Sequence, residues 1–138
     1  MKKITVAVVL DDNEGMLLFG KRQSKDRVMI AEFVNSVGAE NICVSPFSKR
    51  LFEAYKGVKY ADFPISECKD GGACFIENEP LAPHTDVIGT LIIYRWNRLY
   101  HSDVKFDIKP LECGFKLESV SEFVGSSHDK ITKEVYRR

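Results

Sequence analysis

Three runs of residues carry side chains suited to chemistry. Ser45-Pro46-Phe47-Ser48-Lys49-Arg50 sets hydroxyls and two cations directly after an apolar segment, with proline at a first helical position. The free N–H groups and dipole of such a helix start hold anions, which makes Ser45, Ser48, Lys49 and Arg50 anion-site candidates. The simpler account is a capped helix with solvated cations. Lys21-Arg22-Gln23-Ser24-Lys25-Asp26-Arg27 gathers cations that either face an anionic ligand, with Arg22 and Arg27 as candidates, or lie on a solvated loop before a helix. Ser126-Ser127-His128-Asp129 has the residue types of a hydrolase triad. Triads are assembled from distant segments, however, so this run reads as a hairpin loop of turn formers.

His84, His101 and His128 are scattered, so no metal site is expected and each histidine is expected at the surface. Cys43, Cys68, Cys74 and Cys113 lack the two-residue spacing of zinc or redox motifs and read as free, mostly buried thiols in a reducing compartment. In Tyr94-Arg95-Trp96-Asn97-Arg98, Trp96 is expected as core or as an interface anchor. Arg95 is expected to pair with a buried acid or with a partner chain.

These residues need a scaffold, and the composition is that of a globular one. The 138 residues fit a single domain, 1–138, able to bury roughly two-thirds of its unfolded surface. Lys plus Arg and Asp plus Glu both number 20, so the excess cationic charge of a nucleic-acid or acidic-membrane binder is missing. The apolar run Ile4 to Leu10 follows two lysines but meets Asp11-Asp12 directly and falls far short of a ~20-residue span. It is read as a first strand, and the chain as cytoplasmic.

The β-branched run Ile4 to Leu10 has the pattern of a strand buried on both faces. Asp26 to Val37 has helical spacing and ends at Gly38. Asn41 to Ser45 reads as a strand, Pro46 to about Lys56 as a helix with Phe47, Leu51, Phe52 and Tyr55 inward, and Val58 to Phe63 as a short edge strand. Ala73 to Ile76 and Thr90 to Arg98 are further strands, separated by a proline-bearing stretch with at most a short helix. On the later strand Ile92, Tyr94, Trp96 and Arg98 share one face. Phe115 to Phe123 and Ile131 to Arg137 form a closing hairpin. Early alternation and a late hairpin imply a three-layer α/β fold, its sheet mainly parallel with an antiparallel C-terminal end.

This order resembles dihydrofolate reductase. Ile4 to Asp11 with Gly15-Met16 looks like that family's first strand and following loop, and Asp103-Val104-Lys105-Phe106 like its Gly-Asp-Thr-x-Phe-Pro segment. The hairpin ending in Tyr136-Arg137 matches as well. A narrower resemblance, through Arg22 to Arg27, Tyr94 to Arg98 and Gly125 to Glu134, is to small bacterial proteins sometimes labelled ribonuclease Z. The residues give that label no support, since the clustered His-x-His-x-Asp-His of such nucleases is missing.

The resemblance implies a cleft acid on the first helix, where this chain has Met29; Asp26, one turn earlier, and Glu32 are the remaining candidates. It implies a Gly-Gly pair after the strand Ala73 to Ile76, where the chain has Glu77-Asn78-Glu79-Pro80. Carboxylates at 77 and 79 repel phosphates and disfavour NADP. The leading expectation is a non-reductase relative that binds a small anionic or nucleotide-like ligand. The alternatives are an NAD(P)H-dependent reductase of a pterin, flavin precursor or other heterocycle, and an interaction protein that forms a homo-oligomer through a sheet edge or Trp96.

Overall fold

A computed structural model describes residues 2–138. Its main sheet has seven strands: β1 (Ile4–Leu10), β4 (Ile42–Val44), β5 (Lys59–Tyr60), β6 (Ala73–Phe75), β7 (Ile88–Arg95), β9 (Lys116–Phe123) and β10 (Ile131–Arg137). The strand order is β5-β4-β6-β1-β7-β10-β9. Every pairing from β5 to β7 is parallel, whereas β10 runs antiparallel to both β7 and β9. The sheet is therefore mainly parallel with an antiparallel C-terminal edge, as the alternation of elements implies.

The period-two geometry of β1 splits its apolar run between two cores. Ile4, Val6, Val8 and Leu10 join Leu91 and Ile93 on one face, where Ile65 of α3 (Pro64–Glu67) and Phe115 cover them. Ala7 joins Ile92, Tyr94 and Trp96 on the other, beneath Met29, Ile30, Phe33 and Val34 of α1 (Arg27–Val37) and Phe52 of α2 (Lys49–Phe52). Phe33, Phe52 and Phe75 meet edge-on or tilted with centroids 5.7–6.3 Å apart, locking the α1 side. Ile92, Tyr94 and Trp96 share a face as their alternation requires, and Trp96 is core with only 2% of its surface exposed, which removes it as an interface anchor. Arg95 pairs with Glu14 and Glu134, both at 3.0 Å.

Two parts of the sequence pattern gave way to tertiary packing. The helix expected from Pro46 to about Lys56 shortens to a single 3-10 turn and the four residues of α2, with Phe52 the one fully buried side chain of the four expected inward and Gly57 in a positive-φ conformation beyond it. Ser45 makes no side-chain capping bond. The stretch around Gly15 to Arg22 is not loop throughout: β2 (Gly15–Leu18) pairs with β3 (Lys21–Arg22) and with β8 (Val104–Lys105) in a small second sheet. These strands are too short to show an alternation. Among the described residues no helix is long and apolar enough to cross a membrane, and all four cysteines are free.

Candidate functional site

Strands β1, β4, β6 and β7 all end on the same side of the sheet, and the antiparallel β10 begins there. In open parallel sheets this edge, outside the carboxyl ends of the strands, is where ligands bind. Here it carries two hubs, each built around a buried carboxylate.

The first hub is Asp26, 1% exposed. It caps α1 from an extended backbone conformation, its Oδ1 accepting from the N–H groups of Val28 and Met29, each at 3.0 Å. The hairpin loop between β9 and β10 then adds the Ser126 N–H at 2.9 Å, the Ser127 N–H at 2.8 Å and His128 Nδ1 at 3.1 Å. Burial by itself would raise this carboxyl's pKa. The hydrogen bonds from Ser127, Ser126, His128 and Met29 outweigh it and hold Asp26 well below the usual carboxylate range. A β-carbon at Gly125 would lie 2.3 Å from Asp26 Oδ2, so the loop comes this close only because residue 125 is glycine.

His128 is 4% exposed, which overturns its expected place at the surface. Its ring stacks on Trp96 with centroids 4.2 Å apart and planes 16° apart. An ionised Asp26 only accepts hydrogen bonds, so Nδ1 carries a proton, and in the singly protonated ring Nε2 is an acceptor. Two hydroxyls face that Nε2: Tyr100 at 2.9 Å and Ser24 at 3.3 Å. The Ser24 loop is pinned from both sides. Gln23 Nε2 donates to Asp11 Oδ2 and to the His101 carbonyl, and Ser127 Oγ donates to the Lys25 carbonyl. Asp11, itself buried, also receives the Tyr100 N–H at 3.0 Å, which sets Tyr100 and Ser24 side by side.

The second hub is Glu77, just after β6. Arg22 grips it through Nε at 2.8 Å and a terminal nitrogen at 3.0 Å, while Ser48 Oγ donates to it at 2.6 Å. The same Arg22 nitrogen reaches the Phe47 carbonyl at 3.0 Å. Hydrogen bonding and charge from Glu77 raise the Arg22 pKa further, against its partial burial. Ser48 and Arg22, both anion-site candidates, thus direct these donors to the protein's own carboxylate. Glu79 is separate: burial raises its pKa, His84 at 3.7 Å opposes that, and its Oε1 is buried without a hydrogen-bond partner.

The remaining candidates divide. Glu32 lies on α1 away from both hubs and accepts from Tyr94 Oη at 2.5 Å and Lys133 Nζ at 3.0 Å. Lys49 extends over the Tyr60 ring. Arg27 and Arg50 come together with Lys25, Tyr55, Ser126 and Ser127 around a cleft of about 480 Å³. A second, more open cleft of about 500 Å³ shares Lys25 and Ser127 with it and is lined also by Arg22 and Ser24. Among the described residues no group of His, Cys, Asp and Glu is arranged to hold a metal.

With this geometry in view, likeness to known proteins bears on the fold. No family model matches the chain, and no curated protein matches it. Among solved structures, dihydrofolate reductase from Enterococcus faecalis, in complex with NADP(H) and RAB-propyl, superposes with a TM-score of 0.69. The match covers 99% of this chain and 96% of that one at 9% identity. The fold is dihydrofolate-reductase-like. The resemblance would set a dinucleotide's phosphates against the 45–50 element and the turn after β6. The residues do not fit such a group, because Glu77 already takes the donors of Arg22 and Ser48 and no Gly-Gly pair follows β6. Arg22 pairs with Glu77, so the repulsion of phosphate expected from that carboxylate is offset by a bound cation.

The signal missed in the sequence was His128. Its partner acid is not the adjacent Asp129 but Asp26, across 102 residues of chain.

Proposed function

We propose that this chain binds a small anionic ligand, of the size of a nucleotide or sugar phosphate, in the cleft between the start of α1, α2 and the β9–β10 loop. The observation that carries the reading is the convergence of Lys25, Arg27 and Arg50 on one cleft together with the hydroxyls of Ser126, Ser127 and Tyr55. Among the described residues none of these three cations takes part in an ion pair, whereas Arg22, Arg95 and Lys133 are all engaged by carboxylates. Cations left without internal partners in a concave site attract an anion from solution and are available to hydrogen-bond it. The neighbouring Asp26 does not oppose this strongly, since five donors already surround its two oxygens.

Thermal melting with pyrophosphate, AMP, NADPH and a sugar phosphate tests the proposal. A ligand at ~100 times its dissociation constant adds about 2.7 kcal/mol of stability. The shift is expected with at least one phosphate compound, to shrink with added salt, and to vanish in the Lys25→Ala/Arg27→Ala/Arg50→Ala variant. The same melting curve with every compound would end the reading.

A further inference from the structure

Ser24 and Asp26 lie two residues apart in the connection from β3 to α1, and His128 reaches them from the β9–β10 loop. They line up in the order acid, imidazole, hydroxyl, with Asp26 Oδ2 to His128 Nδ1 at 3.1 Å and Nε2 to Ser24 Oγ at 3.3 Å. This is the order of contacts that activates a serine, with a base in reach of the hydroxyl and a third group orienting the base. Trp96 fixes the ring plane and the buried acid holds Nδ1, so Nε2 is the nitrogen turned toward the Ser24 hydroxyl. Ser24 is half-buried and lines the open cleft beside Arg22 and Lys25. A structural cap needs none of this beyond Asp26 itself.

We propose that Ser24 is a nucleophile, activated by His128, that hydrolyses carboxylic esters carrying a negative charge. The charge requirement rests on the anion-binding reading above; the nucleophile does not. In the first half-reaction Ser24 Oγ bonds to the ester carbonyl carbon as its proton passes to His128 Nε2. The bond from that carbon to the alcohol oxygen then breaks, and the alcohol leaves with the proton from Nε2. Water next attacks the acyl-serine carbon and gives a proton to Nε2. The carbon–Oγ bond breaks, Ser24 recovers the proton, and a carboxylic acid departs. Asp26 is a positioning residue throughout. Lys25, on the wall shared with Ser24 and without a carboxylate partner among the described residues, supplies positive charge where the carbonyl oxygen becomes negative. Tyr100 Oη sits closer to Nε2 than Ser24 does and competes for the lone pair, so in the resting protein it restrains the nucleophile.

The test treats the whole chain with a fluorophosphonate probe, locates the adduct by mass spectrometry, and assays p-nitrophenyl acetate against the anionic mono-p-nitrophenyl succinate. The expected result is an adduct on Ser24, at least ~10²-fold loss of ester hydrolysis in a folded Ser24→Ala variant, and faster labelling in Tyr100→Phe. Preference for the succinate in kcat/KM is expected as well. Wild-type and Tyr100→Phe proteins that both leave Ser24 unlabelled overturn the proposal, as does hydrolysis undiminished in Ser24→Ala. Melting with pyrophosphate, AMP, NADPH and a sugar phosphate separates the two readings. A melting shift without an adduct removes the nucleophile alone, and an adduct without a shift removes the anion cleft and, with it, the predicted substrate charge.

Discussion

The two hubs at the carboxyl end of the sheet use a buried carboxylate in opposite ways. Around Asp26 the donors are four backbone N–H groups and one imidazole, with no guanidinium or ammonium among them. Around Glu77 a guanidinium cancels the charge outright, with Ser48 completing the shell. The Asp26 hub ends in hydroxyls that face an open cleft. The Glu77 hub ends in an ion pair closed on itself. The lesson is that one fold can keep a carboxylate unpaired by any cation side chain at one strand end and locked in an ion pair at another, according to what donates to it.

The largest expected effect breaks the first hub. Asp26→Asn replaces an acceptor for five donors with a group that must turn its own N–H₂ toward some of them, and is expected to cost about 3–5 kcal/mol in urea unfolding. The same charge gives an acid signature. Asp26 titrates lower in the folded chain than the ~3.9 of an unfolded aspartate. Its stabilisation is therefore complete above that value and drains away as pH falls through the folded value. Stability measured from pH 5 downward is expected to fall more steeply in the wild type than in Asp26→Asn.

Gly125→Ala comes next, because its new β-carbon must displace the Asp26 carboxylate or the loop. A loss of about 1–3 kcal/mol is expected, with the Trp96 fluorescence altered as His128 shifts off its ring. Glu77→Gln sharpens the contrast between the hubs. It leaves Arg22 without its counter-charge, is expected to cost about 1–3 kcal/mol, and is expected to create affinity for sulfate or phosphate, read as a salt-specific rise in melting temperature that the wild type lacks at Arg22. The smallest effect is Lys49→Ala, within about 0.5 kcal/mol, since this cation touches only the Tyr60 ring at the surface. A larger loss there would mean that the short α2 matters more than its single buried Phe52 implies.

Much of the scaffold was legible before any coordinates. The β-branched run of β1, the Asp26-to-Gly38 helix limits and the closing hairpin are periodic patterns that local chemistry writes directly. The small β2-β3-β8 sheet was not legible, because strands of two to four residues carry no period and β8 joins β2 from far along the chain. The long helix expected after Pro46 failed for a related reason: its start signal is local, but its length depends on how many of its apolar residues find a core. Of the site, Arg22, Ser48 and Glu77 were each singled out, yet their mutual bonding was invisible. His128 was assigned to the surface because its neighbours in sequence are turn formers.

The sequence by itself determined which segments are apolar on one or both faces, where helices can start and stop, and that two acids follow the strand Ala73 to Ile76. Those are properties of side chains read against a fixed backbone period. The tertiary structure alone decided that Asp26 meets His128, that Ser24 and Tyr100 share one imidazole nitrogen, and that Glu77 serves as the anion for Arg22. Each of these depends on a loop closing over tens of residues, and a contact between such distant positions leaves no mark on the local order of the chain.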